Sequence, residues 1–178
     1  MSITVPDHTQ RILLSLADRP IATLVKRHGI NPNNHCPIFS EFVADFVLFE
    51  NVSPPSAHTV LFIAADARGV PVDVIGRVAE RLLASGVIYV CMWGPDCERV
   101  HDIFDEVYIG DGSSERTFKL TSTWHSDETI GEAIGFFIGS AVPSDSEMDT
   151  TSYLAVAVGN PDWAMAIDHA LSVFARQN

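Results

Sequence analysis

The two residues with the clearest chemical potential in this sequence are Cys97 and His101, four positions apart. The segment Gly94-Pro95-Asp96 just before them is typical of a helix start, so both side chains would share one face of a helix. A helix N-terminus lowers the pKa of a thiol, and a nearby imidazole can accept its proton. The pair is therefore a candidate nucleophile and general base. A buried, inert cysteine is the alternative, because cysteine is among the most buried residue types.

A second group of polar and aromatic residues falls in the loops that follow predicted strands. In a parallel α/β sheet these loops converge at the carboxyl ends of the strands, where ligands bind. Turn formation and helix capping explain part of their composition. We expect a small ligand, of an anionic or nucleotide-like kind, with no particular cofactor indicated. The predicted ligand-binding residues are Asp66, Arg68, Asp96, Arg99, Trp124, His125 and Asn160.

A metal site would combine the imidazoles of His101 and His125 with the carboxylates of Asp105 and Asp127. Their spacing matches neither HExxH, nor paired CxxC, nor the calcium-binding loop, so solvated helix carboxylates are the preferred interpretation and no metal ligand is predicted. Nucleotide motifs are missing as well. Neither GxxxxGK[ST] nor GxGxxG follows the first apolar strand, so a standard P-loop or dinucleotide site is not expected.

Alternating strands and helices must position these groups. Uninterrupted apolar runs predict buried strands at 59–65, 87–93 and 152–158, the first of them central and covered on both faces. Capping signals and helical spacing predict helices after Pro71, from Gly94, from Ser126 to about Ala141, and from Asn160. This pattern predicts a single Rossmann-like α/β domain, with a mostly parallel sheet of about four or five strands and helices on both faces.

The sequence does not decide the secondary structure of residues 106–109 and 117–123, because both segments have a strand-like composition. The linker between them is too short for a helical crossover, so either the two segments pair as a hairpin or one lies outside the sheet. In the third helix, Gly131, Gly135 and Gly139 form one stripe. Such a stripe is typical of close packing on the sheet, and a face for homodimer formation is the alternative.

Residues 1–58 fit the alternation less well and are interpreted as an N-terminal extension packed on the core of residues 59–178. Their apolar spacing indicates helix broken near Pro20, then a short helix or an edge strand at 39–47. The segment is too short for a core of its own, so it is not predicted to be a second domain.

Charge and composition restrict the partners. The 178 residues include 11 Lys and Arg against 23 Asp and Glu, a net charge of −12, and 47% are hydrophobic. These values are typical of a globular domain and exclude a typical nucleic-acid binder, which needs clustered basic side chains.

Residues 96–149 alone hold 13 acidic and 3 basic side chains. The alternative function is therefore a non-catalytic interaction module, such as an inhibitor, immunity protein or adaptor, that docks on a basic protein partner. An acidic face that aids solubility is the simpler interpretation of these charges.

The cysteine count and the N-terminus bear on the compartment. Cys36, Cys91 and Cys97 are an odd number, which favours a reducing environment over a disulfide framework. The N-terminal residues lack the basic and apolar regions of a signal peptide, and the apolar runs are far shorter than the ~20 residues that cross a bilayer. We therefore expect a cytoplasmic protein with no membrane partner.

Three segments resemble the pattern of a family of uncharacterised bacterial α/β domains. They are residues 93–106, with the sequence WGPDCERVHDIFDE, and the shorter segments 123–128 and 158–163. The resemblance covers roughly residues 59–175. It implies a bacterial, cytoplasmic setting and brings no activity, substrate or catalytic residue.

Overall fold

The computed structural model describes residues 25–110, 119–142 and 151–176. Over these ranges the chain is a mixed α/β structure with six strands and five helices. The helical spacing predicted around Pro20 lies outside the described residues. The elements are β1 (Lys26–Ile30), β2 (Pro37–Val43), α1 (Phe46–Phe49), β3 (His58–Ala65), α2 (Val72–Ala84), β4 (Val87–Trp93), α3 (Cys97–Ile109), β5 (Thr121–His125), α4 (Ile130–Gly139), β6 (Thr151–Val158) and α5 (Pro161–Arg176).

The six strands form one sheet in the order β1-β2-β6-β3-β4-β5. All neighbours are parallel except β1 and β2, which are antiparallel, so the expectation of a mostly parallel sheet is confirmed. The sheet has more strands than the four or five expected, because residues 26–43 join it as β1 and β2. The described part of the predicted N-terminal extension thus supplies two strands of the sheet itself.

The central strand β3 lies between β6 and β4 and is buried on both faces, as predicted. Successive side chains of a strand point to opposite faces, so β3 contributes to two cores. Leu61 and Ile63 pack in the core beneath α1, α2 and α3, whereas Val60 and Phe62 pack in the core beneath α4 and α5. The sheet is therefore the middle layer of three.

Residues 106–109 form the last turn of α3, so this segment lies outside the sheet, which confirms the second of the two alternatives. Val107 and Tyr108 follow Phe104 at helical spacing, and both pack against the core beneath α3. β5 pairs parallel with β4, so the hairpin, the first of the two alternatives, is wrong. The β-branched Val107 and the aromatic Tyr108, which are typical of a strand, instead lie on the side of the helix that contacts the core.

Helix α4 begins at Ile130 rather than at the predicted Ser126. Its N-cap is Thr129, whose Oγ1 accepts a hydrogen bond from the Glu132 backbone N–H at 3.3 Å, while Glu132 Oε2 accepts from the Thr129 N–H at 2.8 Å. This reciprocal capping box satisfies two backbone donors at once, which the Ser126 start would not do. No helix within the described ranges has the length and apolar character needed to cross a membrane.

The glycine stripe of α4 faces away from the sheet, so the expectation of close sheet packing is wrong for it. The buried residues of α4 are instead Ala133, Ile134, Phe137 and Ile138. Among the described residues, a Cβ placed at Gly131 or Gly139 would meet no atom within 4 Å, and one at Gly135 would only approach the Phe174 ring at 4.0 Å. The alternative of a homodimer face stays a prediction.

Candidate functional site

A cavity of about 720 Å³ opens at the carboxyl ends of β2, β6 and β3. From β3 the chain moves outward to β4 and β5 and then returns to the other side of β3 as β6. The helix that follows β3 packs on one face of the sheet, and the helix that follows β6 packs on the other. Adjacent strands whose loops leave for opposite faces have a crevice between them, which is where open α/β sheets bind ligands.

The cavity wall combines apolar side chains with a few polar groups. It comes from residues 44–47 after β2, from the stretch between Asp66 and Val74 after β3, and from residues 158–160 with Trp163 after β6. Three of the predicted ligand-binding residues, Asp66, Arg68 and Asn160, therefore lie together in the wall. Residues 44–47 were not predicted from the sequence, because no local pattern places β2 beside β6.

Two side-chain oxygens fix the helix starts at this wall. Asn160 Oδ1 accepts hydrogen bonds from the backbone N–H groups of Asp162 at 3.0 Å and Trp163 at 3.3 Å, as the predicted cap of α5. Asp45 Oδ1 accepts from the Leu48 N–H at 2.8 Å and caps α1. Capping satisfies backbone donors that a helix start leaves open, so both loops are held in place locally.

Asp66 and Arg68 form a forked ion pair at the mouth of the cavity. Arg68 Nε donates to Asp66 Oδ1 at 2.9 Å and Nη2 donates to Oδ2 at 2.6 Å. These hydrogen bonds lower the pKa of the Asp66 carboxyl and raise the pKa of the Arg68 guanidinium. The Arg68 side chain is 70% exposed, so the pair adds little to stability. Because of this ion pair, the one basic side chain in the described wall, Arg68, already has a carboxylate partner.

Arg99 and Asp96, also predicted to bind ligand, lie outside the described wall. Arg99 supports the wall through hydrogen bonds to the β3–α2 loop. Arg99 Nη1 donates to the Val70 carbonyl at 3.2 Å, and Nη2 donates to the Ala67 carbonyl. Its Nε donates to Asp96 Oδ2 at 2.7 Å. The guanidinium thus cross-links the start of α3 to the β3–α2 loop, so its role in the structure is to position that loop.

The remaining predicted ligand-binding residues, Trp124 and His125, end β5 and do not line this cavity. The His125 ring is buried, with Nδ1 2.9 Å from Glu128 Oε2 and Nε2 3.2 Å from Thr123 Oγ1. The Trp124 ring packs on His101 with centroids 4.6 Å apart. The single ligand rim expected from sequence is therefore divided into the cavity and a separate cluster at the β5 edge.

Cys97 and His101 share α3, but their side chains have other partners. Burial raises the pKa of the Cys97 thiol, against a lowering contribution from the His125 backbone N–H, and the residue is 3% exposed. His101 places Nδ1 3.1 Å from Asp102 Oδ1 and Nε2 3.5 Å from Asp105 Oδ2. Both ring nitrogens face carboxylates, so the geometry favours the inert-cysteine alternative over the catalytic pair.

The candidate metal ligands are likewise engaged separately. Asp105 accepts from Ser122 Oγ at 2.6 Å, and His125 is paired with Glu128. In the part of the chain that the structure describes, no three His, Cys, Asp or Glu side chains are arranged to hold a metal ion. The three cysteines, all within the described residues, form no disulfide with one another and are buried.

A cluster that the sequence analysis did not identify joins β1, β2 and α5. Asp168 accepts from Lys26 Nζ at 2.7 Å through Oδ2 and from Ser40 Oγ at 2.7 Å through Oδ1. His28 Nε2 lies 2.8 Å from Ser40 Oγ and 3.2 Å from Asp168 Oδ1. Because the Ser40 hydrogen is donated to Asp168, Nε2 of His28 must be the donor toward Ser40. His28 is therefore not placed to act as a base on Ser40, and the cluster ties the edge of the sheet to α5.

We expect this cluster to make stability depend on pH, through His28. Burial lowers the pKa of His28 below its ordinary value of 6.5, although Asp168 pulls it upward. The unfolded chain therefore binds more protons as the pH falls through that ordinary value, and the stability present above it is lost below it. In urea unfolding at about pH 7.5 and about pH 5.5, His28→Gln should weaken the decrease that the wild type shows.

His169→Gln is the matched control for this experiment, because His169 is exposed on α5 and outside the cluster. It should leave the pH dependence as in the wild type. An unchanged dependence in His28→Gln would contradict the prediction.

The fold and the cavity together define a class, the α/β proteins with a mostly parallel sheet and a crevice where the strand order reverses. Within that class the chain belongs to the family described as Domain of unknown function (DUF7684), whose model matches residues 45–174. Membership of an uncharacterised family, expected from the sequence, is thereby confirmed. The match begins after β2 and extends into α5. A search of curated proteins found no similar sequence.

Proposed function

We propose that this protein binds a small organic ligand in the cavity between the ends of β3 and β6. The observation that carries the proposal is the coincidence of a cavity of about 720 Å³ with the point where the strand order reverses. Ligand pockets in proteins are typically of this size, with mostly apolar walls and few polar groups. A Rossmann-like arrangement, as the sequence predicts, uses the same position for its ligand.

The residues of the wall support binding rather than catalysis. The described wall contains no Cys, His, Ser, Thr, Tyr or Lys, the side chains that supply most nucleophiles and proton-transfer groups. Its two carboxylates have structural partners, since Asp45 caps α1 and Asp66 holds Arg68. We therefore propose a binding protein, in which Asp66, Arg68 and Asn160 shape the mouth.

Val47 offers a direct test, because it lines the cavity and the residue is 62% exposed. Val47→Trp should fill part of the cavity without disturbing the core. Compounds that raise the melting temperature of the wild type would be selected by thermal shift from a mixed library. A ligand at 100 times its Kd adds about 2.7 kcal/mol. We expect Val47→Trp to abolish these shifts.

Val173→Trp is the control, because Val173 is 41% exposed on α5 and does not line the cavity. It makes the same substitution and should keep the shifts. Hits that stabilise both variants equally would place binding elsewhere and contradict the proposed site.

A second candidate function is docking of a basic protein partner on the acidic surface around Trp124. Trp124 is 45% exposed, and carboxylates of Asp102 and Asp105 lie beside the imidazole on which it packs. An exposed Trp among carboxylates suits Lys or Arg side chains, through cation–π attraction and ion pairing. Most of the acidic loops 110–116 and 143–149 lies outside the described residues. Capture of a basic partner at low salt, lost at moderate salt and in Trp124→Ala, would support this function; capture unaffected by both changes would contradict it.

A further inference from the structure

The charged groups in the cavity wall leave a surplus of negative charge. Three charged residues line the described part of the wall, and two of them, Asp66 and Arg68, are paired with each other. Asp45 Oδ1 accepts a hydrogen bond from the Leu48 N–H, and no cation of the described residues pairs with the Asp45 carboxylate. Within the described part of the chain, an entering ligand therefore meets one carboxylate without a countercharge.

The helix starts at the cavity do not reverse this balance. α2 and α5 carry Asp73 and Asp162 in their first turns, which offset the partial positive charge of a helix N-terminus. The N–H groups of Asp162 and Trp163 are taken by Asn160. The first basic side chain of α2, Arg77, is bound to Asp73 at 2.9 Å. An anionic ligand would have to displace an existing ion pair.

The rest of the wall is apolar and partly aromatic. Val70, Val74 and Val158 line it together with Phe46 and Trp163. Trp163 is half-buried and held by the Trp93 ring, with centroids 5.2 Å apart. Such a wall favours an apolar or aromatic body, and aromatic rings also attract cations.

We infer that the ligand is an organic cation with a protonated amine and a compact apolar or aromatic body, and that Asp45 receives the amine. This inference rests on the proposed function and adds the chemical class of the ligand. It departs from the anionic ligand expected from the sequence, because the basic side chain that suggested an anion, Arg68, is already paired.

Three probes of matched body and different charge test the inference: phenethylamine, phenethyl alcohol and phenylacetate. Their Kd values would be measured at neutral pH by NMR titration of the backbone amides, which also shows where each probe binds. We expect the amine to bind about tenfold more tightly than the alcohol, and the carboxylate more weakly than either.

Asp45→Asn separates charge from structure, because Asn caps a helix as well as Asp does. We expect the variant to lose the tenfold preference for the amine over the alcohol. Asp127→Asn removes the same charge at an exposed position outside the wall and should keep the preference.

The outcomes distinguish this inference from the proposed function. Tightest binding by phenylacetate, or an amine preference that survives Asp45→Asn, would overturn the assignment of a cation and leave the cavity as a ligand site. Failure of all three probes to perturb the amides of the wall at millimolar concentration would count against both. Perturbation of the wall amides that vanishes in Val47→Trp would support the proposed function. A preference for the amine in the same titrations would support the inference of a cation as well.

Discussion

A methyl group added at Gly94 should lower the free energy of unfolding by about 4 kcal/mol. Gly94 follows β4 with a φ of +113°, a conformation that other residues rarely adopt. A Cβ there would lie 2.3 Å from the carbonyl oxygen and 3.1 Å from the carbonyl carbon of Ala65, at the end of β3. Both atoms belong to the backbone, so the ends of β3 and β4 must separate. Urea unfolding of Gly94→Ala measures the effect.

Gly131→Ala and Gly139→Ala provide the matched controls, because they add the same methyl group within α4. Neither Cβ would meet a described atom within 4 Å, and Ala is the better helix former. Each control should raise stability by about 0.5–1 kcal/mol. A Gly94→Ala protein as stable as the controls would show that the two strand ends are farther apart than described.

Phe137→Ala should cost about 3–5 kcal/mol of stability. The Phe137 side chain is fully buried in the core beneath α4, with ring centroids 5.5 Å from Phe62 and 5.3 Å from Tyr153. Truncation leaves a cavity among rigid rings anchored on β3 and β6, which cannot easily collapse. The neighbouring Phe136 is only partly buried, against His125, so Phe136→Ala should cost clearly less. Equal losses in the two variants would contradict the described orientation of α4.

The sequence predicted the elements whose signals are local. β3, β4 and β6 are apolar runs that need both faces covered, and each forms within one or two residues of its predicted range. Asn160 before Pro161 marks the start of α5 correctly, because capping depends only on neighbouring residues. β1 has no such signal. Its sequence, KRHGI, shows no alternation, and the contact of the His28 side chain with Asp168 of α5 joins residues far apart in the sequence.

The candidate site was predictable only where it follows from a general rule. Asp66, Arg68 and Asn160 follow strand ends, and the rule for parallel sheets places them at one edge. The other predicted residues follow strand ends too, yet the spatial order of the strands decides which ends are neighbours. That order places β6 between β2 and β3, so the loop after β2 joins the cavity while Trp124 at the end of β5 lies apart from it. Pairings between such distant segments are not encoded in local patterns.

The position of β6 also determines when the chain can complete its sheet during synthesis. Tyr153 is the Cα partner of both Ile38 and Val60, so one late segment bridges two that leave the ribosome far earlier. Until residues 151–158 emerge, β2 and β3 each present an open edge that can pair with another nascent chain. Contacts of such high sequence separation also slow folding. A truncation before β6 should therefore yield an aggregation-prone product rather than a smaller folded domain.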